Sequence, residues 1–390
     1  MSVNVHLSRL DLAPAQLLRR QPPRPVAERQ PDYDLKFDFQ TVFYDCFQDA
    51  EDGDQIVCIG PPLSNLAAQV TPAITRAFGK RWLSRTRVRS LDRVSELRLR
   101  PSRQIADLSG DLFAQSSLVP QPNLSELFRG RRVIMTKSRD NDLVWIRDWA
   151  DFHARHHGCD AVLLYDNRST KYGVADLHAT LASVPGIATA VIVEWPFNMG
   201  PSGGGASPKA WVSANGVRHE FWDSDFSQYG VLQHARHRFL TFADAVLNCD
   251  IDELVLTTSR QSIFDLARRS RTGYLSFGGI WIENAAVEDR GDARRHRDYV
   301  HRRAPDPRYT TSKWAVVPSR CPPHAQWCVH WISGLAADDE ASAQAELRHF
   351  NAITTNWRET RWRPQPPDAS HAIDQEWVRW TDLEARPGRP

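Results

Sequence analysis

From residue 132 to residue 256, apolar and polar positions alternate in two kinds of block. Short apolar runs rich in β-branched residues occupy 132–136, 161–165 and 187–195, and a fourth leads into Asp250; each ends in a polar loop. Between them lie stretches with helical period. Leu143, Ile146, Trp149, Ala150 and His153 fall on one face, and Gly158 stops that helix as a left-handed cap would. Residues 174–183 and 227–242 read as two further helices. Strands alternating with helices predict parallel pairing through right-handed crossovers, an α/β fold. Its ligand crevice lies at the C-terminal ends of the strands.

The polar residues at those ends are therefore the candidates. The fourth run closes in Asp250-Ile251-Asp252-Glu253. Residues i and i+2 of a strand share a side, so Asp250 and Asp252 are expected to converge. Two carboxylates that close repel unless a cation neutralises them. A hard divalent ion, Mg2+ or Mn2+, bridging to a phosphate-bearing substrate fits that need. As a bare tripeptide the motif also fits a solvated strand end before a helix cap. The three strand–helix units upstream favour a transferase using a nucleotide-activated donor.

Residues 131–361 resemble the bacterial glycosyltransferase family 2-like group and the related family 92 glycosyltransferases. The resemblance rests on Asn141-Asp142 before a tryptophan-bearing helix, His153 with Gly158, Leu164-Tyr165-Asp166-Asn167-Arg168-Ser169, Trp195-Pro196, Gln233 and Asp250-Ile251-Asp252-Glu253-Leu254. Lys313, His330 and Arg348-His349-Phe350 are weaker echoes. It implies a GT-A fold, Rossmann-like, with a mostly parallel sheet flanked by helices. It further implies a nucleotide-sugar donor, a UDP-sugar by expectation, with Asp250 and Asp252 on ion and diphosphate. In the same pattern Asp166 contacts the nucleoside, and His349 makes a later metal or phosphate contact. Phe350 and Thr360-Arg361 stand where the family carries a tyrosine and a lysine, and a Gly-rich insert at 200–205 is expected to act as lid or spacer.

Thr136, Asn141, Asn167 and Lys313 complete the expected nucleotide-sugar contacts, with Lys313 opposing charge on the departing diphosphate. Glu253 is expected to orient the metal ligands from behind. An inverting displacement needs a base at the acceptor hydroxyl; Glu283 is the candidate, with Asp289 behind it. Trp281 and His330 are placed on the acceptor side, facing the hydroxyl of a glycan or lipid-linked glycan. Two rivals remain. A haloacid-dehalogenase-type phosphatase would use Asp250 as nucleophile and Asp252 as acid, and a catalytically silent glycan-binding protein would keep the fold alone.

Outside this block the pattern changes. Residues 1–32 read as a flexible Pro/Arg-rich tail, 33–128 as a small β-rich N-terminal module and linker, 129–365 as the catalytic domain and 366–390 as a loosely ordered tail. Net charge is +2, which offers no bulk attraction to nucleic acid, although arginines cluster at 294–297 and 302–303. Those clusters suit a solvated face or an anionic acceptor. The six cysteines lack metal or disulfide spacing and read as reduced thiols. No apolar stretch is long enough to span a bilayer. The expected location is cytoplasmic, with peripheral association at the inner membrane face left open.

Overall fold

The computed structural model describes residues 3, 5–15, 17–79, 86–201, 211–212, 218–219, 223–258, 260–286, 291, 294–355 and 365–381. The chain is mixed α/β and divides into two compact units. One holds residues 1–5, 128–195 and 242–390, and the other 6–127 and 196–241.

The first unit is built on a six-stranded sheet. Its elements are β1 (Arg132–Ser138), α1 (Leu143–His157), β2 (Ala161–Asp166), α2 (Val174–Ala182), β3 (Thr189–Glu194), β4 (Ala245–Asn248), β5 (Glu253–Thr257), α3 (Ile263–Arg269), β6 (Tyr274–Phe277), β7 (Gly279–Ile282), β8 (Lys313–Val316), β9 (Ala345–Phe350) and α4 (Gln375–Thr381). The strand order is β3-β2-β1-β4-β8-β6. The β1–β4 side is parallel, and β8 runs antiparallel to both neighbours. A second sheet, β5-β9-β7, pairs β5 antiparallel and β7 parallel to β9.

Apolar spacing explains α1. Trp145, Ile146, Trp149, Ala150, Phe152 and His153 are buried, and the helix ends at Gly158 in the left-handed region, φ 67°. The amides of Gly158 and Cys159 there donate to Ala154 and His153 carbonyls at 3.0 and 3.2 Å, satisfying two otherwise orphaned acceptors. Strands β1 and β2 are almost wholly buried, as parallel strands covered on both faces must be. The stretch from 366, expected as a loose tail, instead contains strand His371–Ile373 and helix α4. Trp377 and Trp380 of α4, each 1% exposed, join the main core. The prolines that suggested a tail flank this helix in the sequence, Pro364, Pro366 and Pro367 before it and Pro387 and Pro390 after it, and the two indoles supply the apolar area that orders it.

The second unit contains an antiparallel four-stranded sheet, ordered Asp45–Gln48, Ile56–Gly60, Val94–Leu99, Arg87–Leu91. Helix Ala67–Ala77, unforeseen because Pro72 interrupts its pattern, buries Val70, Ile74 and Ala77 on one face. The presumed N-terminal tail is also partly structured. Leu10–Asp11 pairs with Thr41–Phe43, and Arg20, 1% exposed, donates to the Pro62 and Asp38 carbonyls at 2.8 and 2.5 Å.

Helix Phe226–Arg238 also belongs to this unit, although its place before β4 suggested the α/β sheet. Buried ion pairs join its apolar contacts there. His234 Nε2 lies 2.8 Å from Asp45 Oδ2, and Arg238 Nη1 donates to the same oxygen at 2.6 Å; Asp45 and His234 are wholly buried. Ser8 N–H donates to the other Asp45 oxygen at 2.6 Å. His237 pairs with buried Glu96 at 3.3 Å, and Glu96 also accepts from Arg98 Nε at 2.6 Å. The helix is therefore held by polar as well as apolar contacts, which an apolar period cannot reveal.

Candidate functional site

The acidic motif lies on a turn and not in a strand. Strand β4 ends at Asn248, and Glu253 N–H closes back on the Asp250 carbonyl at 3.0 Å. Strand alternation, which was expected to turn both carboxylates to one side, does not operate there. Instead each aspartate has its own cationic or imidazole partner. The Lys313 ammonium, at the start of β8, hydrogen-bonds Asp250 Oδ2 and sits 3.3 Å from Glu253 Oε2. His349 Nε2 lies 3.0 Å from Asp252 Oδ2, and its Nδ1 is 3.6 Å from Glu253 Oε1.

The folding of the surrounding strands produces this arrangement. Asn248 pairs with Trp314 across β4–β8, which brings the next residue, Lys313, to the turn. Glu253 and His349 are register partners across β5–β9. Glu253 is 1% exposed; its Oε2 accepts the Asp250 N–H at 2.9 Å, so it buttresses the turn from within. Burial pushes its carboxyl above the ordinary glutamate range, against the pull of Lys313. Burial alone would lower the Lys313 ammonium, yet Asp250 and Glu253 hold it above the usual lysine range. Lys313 is thus a fixed positive charge, 1% exposed, beside an Asp250 side chain that is 40% exposed.

Behind His349 stands Trp281, its register partner across the parallel β7–β9 pair. The rings stack with centroids 3.7 Å apart and planes 22° from parallel. The Arg308 guanidinium lies 5.3 Å from the same indole centroid. Trp281, expected as an acceptor platform, therefore spends its ring on the chain's own groups.

Glu283, expected as the general base, is clamped. Arg308 Nε and Nη2 donate to its two oxygens at 2.9 and 3.1 Å, and Asn351 Nδ2 adds a contact at 3.3 Å. Both Glu283 oxygens are thus engaged by Arg308, and contact with an acceptor hydroxyl would require that pair to open. Asp289, Thr360-Arg361 and residues 202–205 of the Gly-rich insert lie outside the described residues.

His330 sits on the turn before strand Ile332–Ser333. Its Nδ1 donates to the Ser312 carbonyl at 2.9 Å, and Ser312 Oγ donates back to the His330 carbonyl at 2.7 Å. Asn248 Nδ2 donates to the Val329 carbonyl at 3.0 Å, which ties this turn to the end of β4. His330 accordingly braces the segment that precedes Lys313.

At the ends of β1 and β2 lies a polar loop cluster. Asp166 closes β2, accepts the Ser169 N–H at 3.1 Å and is raised above the ordinary aspartate range, chiefly by burial. Asn141 Nδ2 donates to Ser138 Oγ at 2.9 Å. Asp140, which the sequence did not single out, accepts the amides of Thr170 and Lys171 at 2.6 and 3.1 Å and so shapes the loop. Asn167 is 4% exposed; its amide bonds the Trp195 carbonyl at 2.7 Å, a brace between strand ends and not an open contact. Thr136 lies within β1, two residues before its end and 1% exposed, because the strand runs on to Ser138.

Two arginines of the first cluster serve the fold. Buried Arg294 donates to the Ala352 and Thr354 carbonyls at 2.7 and 3.2 Å, and Arg295 Nε pairs with Asp148 at 2.6 Å. Arg308 carried no signal of its own, since its partner Glu283 is 25 residues away.

Among the described residues no group of three His, Cys, Asp or Glu side chains is arranged to hold a metal ion, and no helix is long and apolar enough to cross a membrane. Asp252 and His349 nevertheless form an oxygen–nitrogen donor pair suited to Mn2+. An ion held by few protein groups completes its shell with substrate phosphate and water. Asp252 and His349, now in contact with each other, are the residues that would offer such an ion an oxygen and a nitrogen, and Asp250 is hydrogen-bonded to Lys313. No known family model matches the chain, and no curated protein matches it.

Proposed function

We propose that the protein is a metal-dependent glycosyltransferase of GT-A type, moving a sugar from a nucleotide-sugar donor, a UDP-sugar, to a hydroxyl of a glycan or lipid-linked glycan. The observation that carries this reading is the turn at 250–253, where two aspartates sit beside a buried lysine and a histidine at the end of β4. The strand order β3-β2-β1-β4, with reversed β8 beside β4, supports it, because such a sheet opens a crevice at the ends of β1 and β4.

In this reading Asp166 and the loop shaped by Asp140 receive the nucleoside. Asp252 and His349 hold the divalent ion, which when bound supplies Lewis-acid neutralisation of the diphosphate. Lys313 offers a fixed ammonium to the same developing charge, and Glu253 keeps the turn closed. The acceptor hydroxyl oxygen bonds to the anomeric carbon while the bond to the diphosphate breaks; that electron pair leaves with the nucleotide, and the hydroxyl proton passes to water. The expected stereochemistry is inversion. One observation favours a second reading, a glycan-binding protein without turnover: both oxygens of Glu283, the expected base, are engaged by Arg308.

Calorimetry with Mn2+ and UDP tests the assignment. Wild-type protein is expected to bind UDP only with the ion present, and Asp252→Asn to weaken that binding by about 100-fold or more. Equal UDP affinity in chelator, or in the variant, would overturn the reading. UDP release from a UDP-sugar, stimulated by acceptor, separates transferase from binder.

A further inference from the structure

We propose that Trp281 is a positioning residue for His349, and that Arg308, braced on Glu283, holds Trp281 in place. The inference rests on the reading of Asp252 and His349 as the ion's protein ligands, and it adds the device that aims one of them.

An imidazole at the edge of a site rotates about two side-chain bonds, and only a narrow range turns Nε2 toward Asp252. The contact is made here at 3.0 Å, although the His349 side chain retains 14% exposure. What restricts the ring is the indole 3.7 Å away and 22° from parallel. The parallel register of β7 and β9 places Trp281 and His349 side by side, so the stack is built into the sheet.

The indole has a support of its own. The Trp281 amide donates to the Arg308 carbonyl at 2.9 Å, which pins the Arg308 segment along β7. The Arg308 side chain then lies over the ring while both oxygens of Glu283, 5% exposed, accept from it. A column results: Glu283, Arg308, Trp281, His349, Asp252. Two side chains that resembled a base and an acceptor platform thus belong to one positioning assembly. Groups that orient metal ligands commonly set both affinity and tautomer.

The test uses full-length protein, Mn2+ as the probe and two readouts. Mn2+ affinity is measured by electron paramagnetic resonance, and the His349 tautomer by nitrogen-correlated NMR of the imidazole. Trp281→Phe, which keeps a stacking ring, should stay within about threefold of wild type. Trp281→Leu should bind Mn2+ about 10-fold more weakly, and its His349 signals should change from one tautomer to an exchanging mixture. Arg308→Gln should give a smaller loss of the same kind, and it serves where Trp281→Leu fails to fold. Trp281→Leu or Arg308→Gln with wild-type Mn2+ affinity and unchanged imidazole signals would overturn the proposal. If wild-type protein binds no Mn2+, the metal reading fails, and the tautomer measurement alone decides whether Trp281 positions His349.

Discussion

Two acidic centres in this protein use the same residue types to opposite ends. At Asp45 a carboxylate meets His234 and Arg238 with all three side chains at most 1% exposed. At the 250–253 turn a carboxylate meets buried Lys313, but the Asp250 side chain remains 40% exposed. The first centre is sealed, and its hydrogen bonds join a helix to a sheet. The second has a cation of its own, Lys313, and still faces solvent, which a binding site needs and a structural brace does not. Ionic pairing alone does not distinguish the two; access to water does.

The strongest way to break this contrast is Asp45→Ala, which leaves Arg238 and His234 buried without their shared acceptor. Removing one partner of a buried pair costs about 3–5 kcal/mol, and urea unfolding should register it.

Acid offers a second test, smaller in scale, on a sealed group that has no carboxylate partner. His157 on α1 is neutral: Nε2 donates to the Val255 carbonyl at 2.8 Å and Nδ1 accepts the Ile263 N–H at 3.2 Å. Burial lowers it from 6.5 to about 4. Between those values the unfolded chain binds the extra proton. The stability is therefore present above pH 6.5 and lost as pH falls toward about 4, a loss of about 3 kcal/mol from this group. Unfolding measured at pH 7.5 and 4.5 should show the fall, and His157→Gln should flatten its share of the slope.

The smallest expected effect sharpens the comparison from the open side. Asp250→Asn should change stability by no more than about 1 kcal/mol, since the aspartate is partly solvated and Lys313 keeps Glu253. A loss as large as that of Asp45→Ala in urea would erase the distinction.

The α/β half was legible because its signals are local. The apolar runs that became β1 to β4, the period of α1 and its terminator Gly158 all lie within a few residues of what they determine. What the sequence hid depends on distant partners. Helix Phe226–Arg238 was visible as a helix, but its docking rests on Asp45, 189 residues from His234. Glu283 resembled a base because Arg308 is not adjacent in sequence. Asp250 and Asp252 were recognisable as a chemical pair, yet their orientation followed from a turn beginning two residues after the strand had stopped. Trp377 and Trp380 bury α4 against the core, but the prolines around that segment masked it.

The segmentation of the chain has a consequence for how it is made. Each compact unit is assembled from separate stretches, and the unit that begins at residue 6 ends only at 241. While the ribosome has delivered no more than the first 127 residues, Asp45 lacks both His234 and Arg238. The nascent amino-terminal sheet must wait, its Asp45 met by the Ser8 N–H but lacking both side-chain partners, until residue 238 has emerged. A fragment cut at residue 127 would reproduce that waiting state permanently.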